Sequence, residues 1–255
     1  MVTNQELNSR REPGCTVILA DKKYFHVGNW FMKRTLRPHE WQSPPHGAAI
    51  IASPPTTYPQ RWKTDAAILD FLRQNTDIPL PRAQCTFEDD GAFYFQSEYV
   101  EGVSMKELER QEDKEVVMRE LEGHVVTLRR LRSDMPGVPG ESLMCAPQRV
   151  TSRRWKANSC WRPRGDSKGE YVFCHNDLGQ HNVIVDPDTL RINAIIDWEF
   201  GGFWPEWFER PFWKRTGPSA VLQGEEDDVQ RCRDWLMTHC DEVTMPGLEC
   251  YTSVK

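Results

Sequence analysis

Asp177, Asn182 and Asp197 fall within the single stretch YVFCHNDLGQHNVIVDPDTLRINAIIDWEFGG, residues 171–202. An aspartate followed five positions later by an asparagine, in the pattern H-x-D-x-x-x-x-N, lets one short loop carry a proton acceptor and an oxygen ligand together. Asp197 then returns a carboxylate at the end of the following hairpin. Phosphoryl transfer needs these groups: one carboxylate to accept the proton of an attacking hydroxyl, and oxygens to hold magnesium against nucleotide phosphates. This assigns Asp177 as the base, and Asn182 and Asp197 as metal ligands. The plainer alternative is a set of polar loop residues capping turns. Apolar residues flank each acid, which favours rigid backbone and a shared cleft over a solvated face.

The elements that must position these groups follow from periodicity. The 171–202 stretch runs strand, tight loop, short strand (182–185), turn at Asp186-Pro187-Asp188, and a strand (192–196) that delivers Asp197. Upstream, CTVILA (15–20), YFHVG (24–28) and WFMKRTL (30–36) read as three successive antiparallel strands. RAQCTFEDD (82–90) and GAFYFQSEYV (91–100) read as a hairpin turned at Asp89-Asp90-Gly91, completing a sheet of about five strands. Residues 37–60 are dense in Pro and Ser and predict a loop. TDAAILDFLRQN (64–75) predicts a helix capped by Thr64, with Ala67, Ile68, Phe71 and Leu72 on one face. Residues 105–131 predict a second helix, with Leu108, Val116, Leu121, Val125 and Leu128 among its apolar positions. Periodicity is weak over 137–170, and GEEDDVQ (224–230) predicts the acidic start of a last helix.

The chain has 255 residues, 38% of them hydrophobic and ten of them Trp, enough for a packed core and for two small lobes sharing a cleft. A net charge of −6 argues against a general grip on nucleic acid or anionic membrane. The start MVTNQELNSRREPG lacks the apolar stretch of a secretory signal, and no run approaches the ~20 apolar residues that span a bilayer. A cytoplasmic protein is expected. The eight cysteines are scattered without a CxxC pair, and reduced thiols are expected. Nothing here sets the oligomeric state.

HNDLGQHNVIVD followed by AIIDWEFGGFWPEWFE resembles the aminoglycoside phosphotransferase and choline kinase-like superfamily, especially fungal phosphotransferase-domain proteins. NWFMKRTLRP, TDAAILDFLRQNTDIPLPR and FQSEYVEGVSM recur there in similar order, so the resemblance covers roughly residues 15 to 215. It implies an α+β, two-lobed protein-kinase-like fold. Residues 1–14 would be a polar tail, 15–100 an N-lobe with a nucleotide-binding sheet, and 101–255 a helical C-lobe carrying the catalytic hairpin. It implies ATP and Mg2+ as cofactors, with Lys33 pairing with the α/β-phosphates and Asp65 orienting that lysine. Glu98-Tyr99-Val100 would form the hinge that receives adenine. His175 is expected to bond backbone near Asp197.

Three departures from that pattern stand out. The superfamily usually has Glu where this chain has Asp65, leaving open whether the ion pair is longer or replaced. Lys33 and Arg34 are adjacent on a strand and point to opposite faces, so only one enters the cleft. No GxGxxG follows the first strand. His181 and Gln180 read as local structural or substrate-side groups. Phe200, Phe203, Trp204, Trp207, Phe208, Phe212 and Trp213 read as core ahead of a cation pocket, with Glu206 and Glu209 as amine-recognition groups under the second reading. The expected activity is transfer of the ATP γ-phosphate to a hydroxyl of a small molecule. The alternative is a catalytically weak pseudokinase acting as a nucleotide-binding or interaction module. A protein kinase is disfavoured because no Ala-Pro-Glu follows Asp197.

Overall fold

In the computed structural model, residues 2–41, 55–151 and 155–245 are described. Much of the Pro-rich stretch, residues 42–54, lies outside them. The chain opens with α1 (Asn4–Ser9), held by a capping box in which Thr3 and Glu6 satisfy each other's backbone N–H. Leu7 of this helix is buried with Cys15, Ile18, Phe25 and Leu36, so the polar tail is tied to the sheet behind it.

That sheet contains β1 (Cys15–Ile18), β2 (Lys22–Val27) and β3 (Trp30–Thr35). Helix α2 (Tyr58–Asn75) follows, and then the hairpin β4 (Ala83–Asp89) and β5 (Ala92–Glu98). The five strands are ordered β1-β2-β3-β5-β4, with every neighbouring pair antiparallel. The hairpin turns at Asp90 and Gly91, with φ of 48° and 65°, the positive values that a two-residue connection matching strand twist requires.

Helix α2 begins six residues before the expected Thr64 cap, and Thr64 is buried inside it. Pro59 sits in the first turn, where its missing N–H costs nothing. Tyr58 and Trp62 pack one turn apart, ring centroids 5.0 Å apart and tilted, and extend the apolar face upstream.

The rest of the chain begins with β6 (Val103–Ser104) and a 3-10 turn, Met105–Glu107. The Glu107 carboxylate accepts both the backbone N–H and the hydroxyl of Ser104, closing that turn. The expected helix therefore starts later, as α3 (Gln111–Arg130), and Val117, not Val116, joins Leu121, Val125 and Leu128 in the core. Next come β7 (Arg132–Ser133), α4 (Gln148–Thr151), β8 (Ser159–Pro163) and β9 (Tyr171–Cys174). The hairpin β10 (Val183–Val185) and β11 (Ile192–Ile195) follows, then β12 (Gly202–Trp204), α5 (Val229–His239) and β13 (Cys240–Thr244).

These strands form three small sheets, β11-β10-β6, β12-β9-β7 and β13-β8. Strand β8 gives structure to the weakly periodic 137–170 region by pairing with β13 near the other end of the chain. The acidic run before α5 places Asp228 at its N-cap, but that side chain pairs with Arg149 and does not cap the helix.

The large central core includes Trp62, Trp161, Trp198 and Trp204, each fully buried. The cysteines among the described residues are free; Cys145 and Cys160 lie 3.6 Å apart as thiols. Among the described residues no helix is long and apolar enough to cross a membrane.

Candidate active site

Lys33 sits in the middle of β3, opposite Tyr24 on one side and Phe95 on the other. Its ammonium lies 3.1 Å from Asp65 Oδ2 and 2.6 Å from Asp197 Oδ1. Arg34, one residue on, points to the opposite face, where Arg34 and Lys23 share the carboxylates of Glu12 and Glu40. Strand alternation thus admits Lys33 alone to the cleft. The pair with Asp65 is retained despite the shorter side chain. Asp65 also uses its second oxygen, Oδ1, to accept the backbone N–H of Trp198 at 3.2 Å, so α2 is fastened directly to the turn after β11.

Asp197 takes φ of 69°, a left-handed conformation uncommon for a non-glycine residue. A quarter of its side chain is exposed to the cleft, whereas the Asp65 side chain is almost fully buried. Burial opposes the ionised form of Asp197, but Lys33 and then Lys22 outweigh it and hold the carboxyl below its ordinary range. Lys33 is desolvated, yet Asp197 and Asp65 together keep its ammonium well above the usual lysine value. Burial, reinforced by Asp197 and Glu199 and opposed by Lys33, pushes Asp65 up to about 6.

The loop between β9 and β10 holds Asp177 and Asn182 together: Asn182 Nδ2 donates to the Asp177 carbonyl at 2.8 Å and to its Oδ2 at 3.3 Å. Asp177 is pushed up to about 6 by burial and then by the charge of Asp197, with Ser219 and then His181 opposing. His181 Nε2 stands 3.9 Å from Asp177 Oδ1.

His175 lies behind the loop. Its Nδ1 accepts the Asp177 N–H at 3.2 Å, so Nε2 is the protonated nitrogen and donates to the Ile196 carbonyl at 3.0 Å. Full burial lowers its pKa and keeps the ring neutral. This ring joins the Asp177 loop to the residue just before Asp197.

Two further anchors of that loop have weak sequence signals. Glu209 is buried and accepts the backbone N–H groups of His175 and Asn176, the latter at 3.2 Å. It is therefore not an amine-recognition group facing solvent; Glu206 is the exposed one, 3.3 Å from Arg129. Arg149, buried and paired with Asp228 at 3.1 Å, donates to the carbonyls of Asn176 and Phe208. These three partners are 27, 59 and 79 residues away, beyond any local pattern. The expected preference for aromatic packing holds: Trp204 and Phe208 stack in the core, and Trp235 packs against both, tilted to the first and edge-on to the second. Gln180 is also buried, donating to the Trp213 carbonyl at 3.0 Å.

The cleft itself has a volume of about 430 Å³. Tyr24, Phe31, Leu69, Phe95, Ile184 and Ile196 supply apolar walls, and Glu98, Tyr99, Val100 and Gly102 one edge. Lys33, Asp65, His181, Asn182 and Asp197 supply the charged and polar groups. A Cβ on Gly102 would collide with the Val185 carbonyl, so only glycine lets this edge lie against β10. Asp177 is reached through Asn182 and lies just beyond the cleft lining. The Tyr99 N–H is bonded to the Asn29 carbonyl and the Glu98 N–H to the Arg82 carbonyl, which fixes the edge in place.

A five-stranded antiparallel sheet with its helix, set against a part that carries the β10–β11 hairpin, gives a two-lobed, protein-kinase-like α+β fold in which Lys33 meets Asp65 and Asp197 at one cleft. The model of the phosphotransferase enzyme family matches residues 26–209, and the chain belongs to that family. Among solved structures the chain is similar to an aminoglycoside-3'-phosphotransferase of type VIII, at 18% identity, 78% of this chain and 77% of that one, with a TM-score of 0.44. It is also similar to an aminoglycoside phosphotransferase from Streptomyces rimosus in complex with ADP and streptomycin, at 16% identity over 77% of this chain and 74% of that one, TM-score 0.48. A thermostable mutant of another aminoglycoside phosphotransferase, in ternary complex with ADP and hygromycin B, matches at 14% identity over 74% of this chain and 66% of that one, TM-score 0.46. No curated protein matches the chain.

Proposed function

We propose that this phosphotransferase moves the γ-phosphate of ATP to a hydroxyl of a small molecule. The observation that carries this is Lys33, held between Asp65 and Asp197 in the same cleft as Asn182. Family membership supports the reaction class. Adenine would lie along the edge 98–100, with Glu98 and Val100 contributing to its site, against Phe31 and Phe95. Lys33 would meet the α/β-phosphates, oriented by Asp65. The lobes would divide near residue 100, with the nucleotide between them.

The donor set fits magnesium. Asn182 and Asp197 supply amide and carboxylate oxygens on one cleft, and no group of three or more His, Cys, Asp or Glu residues gathers as a dedicated cage among the described residues. Magnesium typically takes one or two protein ligands and completes its shell with phosphates and water. When bound, it supplies positive charge against the phosphate oxygens. The chain's own contribution is positioning: Asn182 fixes the Asp177 carboxylate by hydrogen bonding, and Asp177 accepts the proton of the acceptor hydroxyl.

The test is calorimetric nucleotide binding with and without magnesium, on wild type and Asp197→Ala, followed by turnover of Asp177→Ala with a hydroxylated acceptor. Magnesium-dependent ATP binding lost in Asp197→Ala, together with turnover lost in Asp177→Ala, is the expected result. Wild-type turnover by Asp177→Ala would sink the assignment. Metal-dependent ATP binding without phosphorylation of any acceptor in a wide panel would establish the rival pseudokinase reading.

A further inference from the structure

The cleft-facing row of β2 consists of Lys22, Tyr24 and His26, half-buried residues alternating with the buried Lys23 and Phe25. His26 stacks on Tyr99 with ring centroids 3.6 Å apart, which puts this end of the row at the 98–100 edge. Tyr24 lies opposite Lys33, and Lys22 lies opposite Thr35. Since two residues of strand advance about 6.6 Å, the row runs from the edge, past the level of Lys33, to Lys22 one step further along.

The turn before Lys22, Leu19-Ala20-Asp21, contains no glycine. It is pinned, with the Leu19 N–H donating to the Lys22 carbonyl at 2.8 Å and the Leu36 N–H to the Asp21 carbonyl at 3.0 Å. Such a turn does not offer the loose row of backbone amides with which glycine-rich loops cover phosphates. The nearby cations differ in what holds them. Lys33 is engaged by Asp65 and Asp197, and Arg61 by Glu199 between the rings of Tyr58 and Phe200. Lys22 is drawn by the charges of Glu199 and Asp197 but forms an ion pair with neither among the described residues, and rests over the faces of Tyr58 and Tyr24, 5.0 and 5.7 Å from their centroids. Tyr58 is itself fixed by donating to Asp21 at 2.7 Å. Lys22 stands beside Tyr24, which lines the cleft, and a cation held over two rings there keeps its hydrogen-bond donors for an incoming anion.

We infer that Lys22 is a second phosphate-contacting residue, which binds the terminal phosphate of the nucleotide in place of a glycine-rich loop. This rests on the ATP reading above and adds a side chain that divides the work with Lys33: Lys33 for the inner phosphates, Lys22 for the last one.

Calorimetry with Mg2+-ATP and Mg2+-ADP on wild type, Lys22→Met, Lys22→Gln and Lys22→Arg tests it, with a thermal melt to establish folding. Loss of one charge-assisted contact should weaken ATP binding roughly tenfold in Lys22→Met and Lys22→Gln while ADP changes less than about twofold, and Lys22→Arg should keep most of the ATP affinity. Equal weakening of both nucleotides, or unchanged ATP affinity in a folded variant, overturns the assignment and leaves Lys22 a structural strand-end lysine. A wild-type protein that binds neither nucleotide instead overturns the ATP reading, and this inference falls with it.

Discussion

The Asp65 carboxylate accepts the backbone N–H of Trp198 at 3.2 Å, across 133 positions of sequence. A helix packed on the N-terminal sheet thereby holds the turn that presents Asp197. The same carboxylate holds Lys33 through its other oxygen, so one buried group sets both the lysine and the turn. Asp65→Ala should cost about 3 kcal/mol, since it leaves a buried lysine short of a partner and an N–H without an acceptor. Asp65→Asn should cost less, because its amide oxygen can still serve Trp198. Urea unfolding compares the two; equal losses would mean that the bond to Trp198 contributes nothing.

Asp177 bears on pH. Burial and the charge of Asp197 push it up to about 6. Below that value it is protonated and cannot accept a proton, so kcat/KM should rise as pH increases through about 6 and level off above it. Asp177→Asn should lower kcat by roughly 10²- to 10⁴-fold and abolish that limb. A profile with no inflection between about pH 5 and 8 would remove Asp177 from the role of base.

Glu209 holds the loop and is not among the residues that line the cleft. Its buried carboxylate holds the N–H groups of His175 and Asn176. Glu209→Ala should destabilise the fold by roughly 3 kcal/mol, through two unpaired buried donors. In Glu209→Gln, which keeps an acceptor oxygen, kcat should fall while ATP affinity stays near wild type. An ATP affinity that falls as far as kcat would show that Glu209 shapes the nucleotide site directly.

On the opposite face of the sheet, Glu40 is held down to about 2: burial opposes ionisation, but hydrogen bonds from Lys23, the Arg37 N–H and Arg34 outweigh it. A depressed carboxyl pKa stabilises the fold above the unfolded value, near 4.5, and the effect fades as pH falls towards about 2. The shift corresponds to about 3 kcal/mol. Glu40→Gln should therefore be less stable than wild type at neutral pH, and the gap should narrow steadily below about pH 4.5. A gap independent of pH would assign the loss to packing.

Sequence by itself determined the features whose geometry is local. Asp177 and Asn182 stand five apart in one loop, so any backbone that joins two strands there brings them together. Strand alternation separates Lys33 from Arg34, and the Asp89-Asp90-Gly91 turn fixes the β4–β5 register. The family signature around Asp197 was legible for the same reason.

Tertiary structure decided what depends on distant partners. Helix α2 starts at Tyr58 because Tyr58 and Trp62 find a core to enter, which the Pro-rich composition of 37–60 does not reveal. Strand β8 exists because β13 lies beside it, and Glu209 is a loop anchor and not an amine-recognition group because packing carries it under His175. Periodicity reports which face of an element is apolar, but it does not name the element that will cover that face. The buried polar contacts of Asp65, Arg149 and Glu209 follow from that second fact, since a polar group sealed by packing must find its partner wherever the fold has brought one.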